Sequence, residues 1–159
     1  MLNTGTLRVT TPSDREIVMT REFDAPRELV YDALTKPELL KRWFGPRGWS
    51  LIVCEVDLRV GGAWRFVLRG PDGAEMGMRG VYRELVRPER TVHTESFDEY
   101  PGESLVTGVL TERGGKTTLT GTVLYESREI RDMVVSSGME HGAAESYDKL
   151  AELLAPGAA

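Results

Sequence analysis

The stretch Glu129–Leu154, EIRDMVVSSGMEHGAAESYDKLAELL, decides how the rest of the chain is read. Its apolar or small residues fall at Ile130, Met133, Val134, Ser137, Gly138, His141, Ala144, Tyr147, Ala151 and Leu154. That is the three-and-four spacing of an amphipathic helix, and it predicts one helix long enough to cross a whole sheet. Ser127 is placed to cap it, Glu129 in the first turn suits the helix dipole, and Pro156-Gly157 ends it.

Ahead of this helix, from Trp49 to Glu126, the period is two. Gly61-Gly62, Pro71-Asp72-Gly73, Arg87-Pro88, Tyr100-Pro101-Gly102 and Gly114-Gly115 punctuate alternating stretches that start near Trp49, Ala63, Met76, Thr91, Ser104 and Lys116. A further strand is expected at Glu16–Phe23, making about seven in an antiparallel meander. Between the first strand and the rest, Asp24 reads as an N-cap, with Pro26 in the first turn of a helix to Leu34. Thr35 and Glu38 have capping-box spacing and predict a second short helix to about Trp43. Residues 1–15 read as an irregular arm around Thr11-Pro12-Ser13-Asp14, and 16–155 as one domain.

The whole-chain numbers narrow the function classes. A chain of 159 residues, 40% hydrophobic and 28% charged, suits one globular domain with a real core. Twenty Lys and Arg against 25 Asp and Glu give a charge of -5 with no basic stripe, which argues against a nucleic-acid partner. No apolar run reaches the ~20 residues of a membrane span, and Met1–Arg15 lacks an apolar signal core. The single cysteine, Cys54, fits a reducing compartment, so a cytoplasmic location is expected. Two histidines and one cysteine, widely separated, match no zinc spacing, and no phosphate loop or dinucleotide fingerprint is present, so neither metal nor cofactor is expected.

The element order is strand, two short helices, about six strands and one long helix, an α+β arrangement. A curved antiparallel sheet wrapped around such a helix buries the helix stripe in its concave face and leaves a gap beneath. Gaps of that kind take small ligands. Trp43, Phe44, Trp49, Trp64 and Phe66 concentrate much of the aromatic content in one third of the chain. Trp64, Phe66 and Leu68 share a strand face and read either as a core stripe or as a cavity wall, which Met76, Met78 and Tyr82 extend. His93 and Glu95 also share a face. Either they enter the gap, to orient a ligand or exchange protons, or they face solvent while Val92, Thr94 and Ser96 turn inward. Gly138 and Gly142 leave a bare stripe on the long helix around His141; it serves close packing, or it widens the gap so that His141 or Tyr147 reaches in beside Met133 and Met139. Asp57 and Arg59 read as an ion pair or turn cap, and Cys54 as a core thiol with no nearby group to activate it.

Six stretches, in order, carry a resemblance. They are Arg21-Glu22-Phe23-Asp24-Ala25-Pro26, Thr35-Lys36-Pro37-Glu38, Trp43-Phe44-Gly45-Pro46, Val56-Asp57-Leu58-Arg59-Val60-Gly61-Gly62, Gly80-Val81-Tyr82 with Pro88-Glu89-Arg90, and Ser137-Gly138-Met139-Glu140-His141-Gly142. In these the chain resembles the helix-grip fold of the START-like (SRPBCC) superfamily. More specifically it resembles proteins related to the C-terminal domain of activators of the heat-shock-protein-90 ATPase. The resemblance implies the helix-grip architecture over about residues 16–154. Functions in that group range over co-chaperone domains, lipid and polyketide binders, aromatase/cyclase enzymes and an enediyne-resistance protein, so fold alone does not choose among them.

The expected function is binding of a small hydrophobic molecule, lipid-like or aromatic, in the gap, with a stress-related role as a further expectation. Trp43, Phe44, Trp64, Phe66, Met78, Tyr82 and Tyr147 would supply contact, with Gly138 clearing space; His93, Glu95 and His141 would supply orientation. A cyclase- or hydrolase-type enzyme in the same gap is the first alternative. A chaperone-interacting stress protein is the second, disfavoured because residues 1–15 leave no room for the extra docking domain of the co-chaperones. An uncovered edge strand offers a surface for a homodimer.

Overall fold

The computed structural model describes residues 6–155. Eight antiparallel strands form one sheet in the order β1-β2-β8-β7-β6-β5-β4-β3. They are β1 Arg8–Thr10, β2 Glu16–Phe23, β3 Ser50–Val56, β4 Ala63–Arg69, β5 Glu75–Val86, β6 Arg90–Phe97, β7 Ser104–Arg113 and β8 Lys116–Leu124. From β3 to β8 every strand pairs with its sequence neighbour, because each turn is too short to allow any other partner. Helices α1 (Arg27–Thr35) and α2 (Pro37–Trp43) follow β2, and α3 (Arg128–Ser136) and α4 (Met139–Leu154) follow β8. Among the described residues no helix is long and apolar enough to cross a membrane.

The strand count corrects the expected arm. Leu7 and Val9 are fully buried with Ile17, and Arg8–Thr10 pairs with β2 through Val9↔Met19. Two apolar side chains in one short alternation are enough to hold an edge strand against Val134, Val135, Ala143 and Ala144 of the terminal helices. The first five positions of the arm and the Pro156-Gly157 stop lie outside the described residues.

The terminal helix is two helices. Ser127 caps α3 as expected, its side chain accepting from the Ile130 amide at 3.1 Å. The helix then stops, because Gly138 adopts φ 75°, a left-handed conformation that glycine reaches without a Cβ clash. His141 and Tyr147 are therefore on α4, while Ile130, Met133 and Val134 are on α3, free to take a different direction.

Two further local expectations are corrected. Helix α1 begins at Arg27 with Pro26 at its N-cap, not Asp24; Pro26 is extended at φ -67°, ψ 153° and makes no side-chain cap. The Thr35–Glu38 capping box does not form: Lys36 caps α2, Pro37 opens it, and the Thr35 hydroxyl donates instead to the Tyr31 carbonyl at 2.8 Å. Asp57 and Arg59 do pair, at 2.9 Å, in a turn whose close approach leaves no room for a Cβ at Gly62.

Candidate functional site

Bulges in β3, between Leu51 and Val53, and in β5, between Tyr82 and Glu84, interrupt the ladder and bend the strands. The bent sheet encloses α4. Phe23 at the end of β2 meets Tyr147 of α4 edge-on at 6.1 Å, and Tyr147 stacks on Trp43 of α2 at 6.0 Å and 23°. Ser146 accepts from the Gly45 amide at 3.0 Å, and Lys149 donates to the Gly45 carbonyl at 3.2 Å, so the α2–β3 loop is fixed to the same helix.

Between α4 and the sheet lies a cavity of about 680 Å³. One wall is a chain of rings: Trp43–Phe44 at 5.6 Å, Phe44–Phe66 at 5.0 Å, Phe66–Trp64 at 4.8 Å, Trp64–His93 at 5.4 Å and His93–Tyr82 at 6.2 Å. Met76 and Met78 continue it. The cavity opens between the β6–β7 loop and α3, where its lining residues Tyr100 and Met133 are 64% and 62% exposed.

His93 and Glu95 face this cavity with Thr91 and Phe97, and the neighbouring Val92 and Thr94 belong to the opposite face. Half-buried on the cavity wall and surrounded largely by apolar groups, each is driven towards its neutral form. Burial lowers His93 to about 4 and raises Glu95 to about 7. Burial, then the Glu95 charge, raises the Tyr147 phenol to about 12 and Tyr125 further still. His93, Tyr125, Tyr147 and Glu95 thus bring to the cavity a neutral imidazole, two phenols and a carboxyl that changes charge near neutrality.

The expected residues divide. Trp43, Phe44, Trp64, Phe66, Met78, Tyr82, His93, Glu95 and Tyr147 all line the cavity. Gly138 and His141 do not. Gly138 is spent on the helix break, and the His141 side chain is 76% exposed, 3.5 Å from Glu140. Nor does the helix stripe clear space. A Cβ on Gly142 would lie 3.2 Å from Pro46, so the bare position serves close packing. Cys54 is only half-buried, and burial raises its thiol to about 11, which removes it as a nucleophile.

The space comes from elsewhere. Gly108 of β7 and Gly121 of β8 sit directly opposite each other, and both line the cavity. A Cβ at Gly121 would meet nothing closer than the Met19 carbonyl oxygen at 3.9 Å. Gly121 leaves a bare patch of sheet beneath the helix, while at Gly108 a Cβ would lie 3.1 Å from the Thr91 hydroxyl, so glycine there makes room for Thr91. Sequence reasoning missed the pair, together with Tyr125. The signal was present in β8 as the alternation Leu119, Gly121, Val123, Tyr125, with small and large side chains on one inward face. Among the described residues no cluster of His, Cys, Asp and Glu is arranged to hold a metal ion.

Known proteins share this architecture. A Rhodobacter sphaeroides protein of solved structure is 35% identical, with 92% of this chain and 97% of that one covered at a TM-score of 0.87. The CV1439 protein of Chromobacterium violaceum is 32% identical over 89% of this chain and 98% of its own, at 0.78. An HSP90 activator from Plasmodium falciparum aligns more loosely, at 25% identity over 70% of this chain and 73% of its own, with a TM-score of 0.57. No curated protein matches. The family model described as activator of Hsp90 ATPase homolog 1-like protein matches residues 24–155, from the approach to α1 through the end of α4. Those residues include the ring chain, the glycine pair and the break at Gly138, and with them the chain belongs to the activator of Hsp90 ATPase homolog 1-like family, within the helix-grip fold.

Proposed function

We propose that this protein binds a small, largely apolar molecule in the cavity between α4 and the sheet. The observation that carries the reading is the roughly 680 Å³ of space bounded by a continuous ring wall and floored by Gly108 and Gly121. Core side chains chosen only for stability fill such a space, since interiors are close-packed and empty volume is destabilising. A ligand burying roughly 250 Å² of apolar surface there gains about 6 kcal/mol at about 25 cal/mol per Å², before ordering costs. Planar or flexible apolar bodies suit the wall, because aromatic edges and methionines adapt to either.

The test is to fill the space from within. Gly121→Leu projects a side chain into the cavity from a position where a Cβ meets no close atom. Native mass spectrometry of the freshly purified protein, with thermal shifts against lipids and polyketide-like aromatics, should show ligand retained or stabilising in the wild type. The variant should stay folded and lose both. Equal responses from the two proteins would contradict the proposal.

A second reading has its own support. Glu95 at about 7 lies in the range where a carboxyl accepts and returns protons at working pH, and His93 shares its face of the cavity. A cyclase- or hydrolase-type reaction on a bound molecule would use this pair. Turnover of a cavity ligand that is lost in Glu95→Gln, with binding retained, would establish it; unchanged turnover would remove it.

A further inference from the structure

We propose that the ligand is an organic cation: an apolar, partly aromatic body carrying one ammonium group, seated against Glu95. This rests on the reading of the cavity as a ligand site and names the class of molecule that it takes.

The charges on the wall come first. Among the described residues lining the cavity there is no lysine or arginine, and the carboxyl groups are Glu95, Glu103 and Glu126. An anionic ligand, a fatty acid or a phosphorylated lipid, would meet no counter-charge there and would lose its hydration without replacement. Glu126 stands near the mouth, its Oε1 accepting from the Glu103 amide at 2.7 Å. Glu95 lies on the β6 wall beside His93, and its carboxyl forms no hydrogen bond or ion pair with any described residue.

Carboxyl groups drawn into an apolar enclosure are mostly hydrogen-bonded or paired, and Glu95, half-buried on the cavity wall, has no such partner among the described residues. The groups facing Glu95 are His93 on its own strand, Tyr125 at the end of β8 and Tyr147 on α4, with Glu103 and Glu126 towards the opening. None of these is a cation at neutral pH: burial holds His93 neutral down to about 4. The missing partner is therefore absent from the protein side. An ammonium group completes the carboxylate, in a cavity whose lining also includes the aromatic rings of Trp64 and Tyr147. A neutral alcohol can hydrogen-bond to either form of Glu95 but neutralises neither, and an anion can only accept from the protonated form and is repelled by the ionised one.

Three matched probes share one body: 6-phenylhexylamine, 6-phenylhexanol and 6-phenylhexanoate, titrated calorimetrically between pH 6 and pH 8. The amine should bind at least about tenfold more tightly than the alcohol at pH 8, with the carboxylate weakest. Its affinity should rise about tenfold from pH 6 to pH 8 as Glu95, titrating near 7, ionises, while that for the alcohol stays level or falls. Glu95→Gln should abolish the amine's advantage and spare the alcohol. Should that variant misfold, the pH series on the unmodified protein tests the same assignment by itself. Equal or stronger binding of the alcohol or the carboxylate overturns the cation assignment alone. Failure of all three probes overturns the cavity reading, and this one with it.

Discussion

Replacing Glu95 by glutamine removes one proton-binding group from the cavity wall and keeps its shape. In the unfolded chain this carboxyl titrates near 4.5, and in the fold near 7. The unfolded state therefore gives up its proton first as pH rises, and between these values the native state holds more protons. Stability contributed at this position falls through that window and is flat above it. The difference between 4.5 and about 7 corresponds to about 3 kcal/mol. His93 acts in the opposite sense. Its imidazole titrates near 6.5 unfolded and about 4 in the fold, so stability is lost as pH falls from 6.5 to 4, again by about 3 kcal/mol. The two effects nearly cancel in the wild type between about pH 4.5 and 6.5, and only the variants separate them. Urea unfolding at pH 4 to 8 reads the free energies. Glu95→Gln should gain on the wild type from almost nothing below pH 4.5 to about 3 kcal/mol above pH 7. His93→Asn should gain as pH falls towards 4. A Glu95→Gln difference that stays constant across pH would show that the fold leaves the carboxyl unshifted, and one that turns destabilising at pH 8 would show that the carboxylate is stabilised; either refutes the reasoning.

Gly138→Ala forces a Cβ into the left-handed region at φ 75° and should cost about 1–2 kcal/mol, read as a lowered Tm without loss of helical circular dichroism. Gly80→Ala is far harsher: the new atom would lie 1.8 Å from the Thr94 carbonyl oxygen and 2.5 Å from the Trp64 indole nitrogen, so a loss of about 3 kcal/mol or more, or insoluble expression, is expected. Phe66→Ala removes the ring between Phe44 and Trp64 and should cost about 3–5 kcal/mol in urea unfolding. Cys54, with its thiol raised to about 11, should react with iodoacetamide at pH 7.5 much more slowly than a free thiol, rising to the free rate in urea.

Much of the fold was legible because its turns are explicit. Glycine and proline clusters between short alternating runs left β3 to β8 little freedom, and the observed strands begin close to where those runs do. Gly138 was harder. A glycine inside a helical period can be tolerated or can end the helix, and the residues on either side keep the same spacing in both cases. The arm was misread because three paired residues are too few to display a period.

At the cavity, the face of β4 was readable from Trp64 and Phe66 alternating with Arg65 and Val67. The face of β6 was not. Val92 and Thr94 are buried on one side while His93 and Glu95 are partly enclosed on the other, so polarity did not mark the solvent side. Only the packing of α4 and α2 against the sheet decides between them. The glycine floor escaped notice because Gly108 and Gly121 become neighbours through the β7–β8 register, and each alone reads as a weak strand residue. His141 was misplaced by treating α3 and α4 as one rod; the break redirects the face on which it lies.

The hollow itself is most directly tested by amide and indole NMR spectra recorded during titration with 6-phenylhexanol, a probe that needs no charge. Saturable shifts should gather on Trp64, Phe66, His93, Gly108, Gly121 and Tyr147, and leave Arg65, Asp98 and the outer face of β6 in place. Spectra that do not change, or shifts confined to exposed residues such as Leu29 and Val60, would mean that no ligand enters between α4 and the sheet.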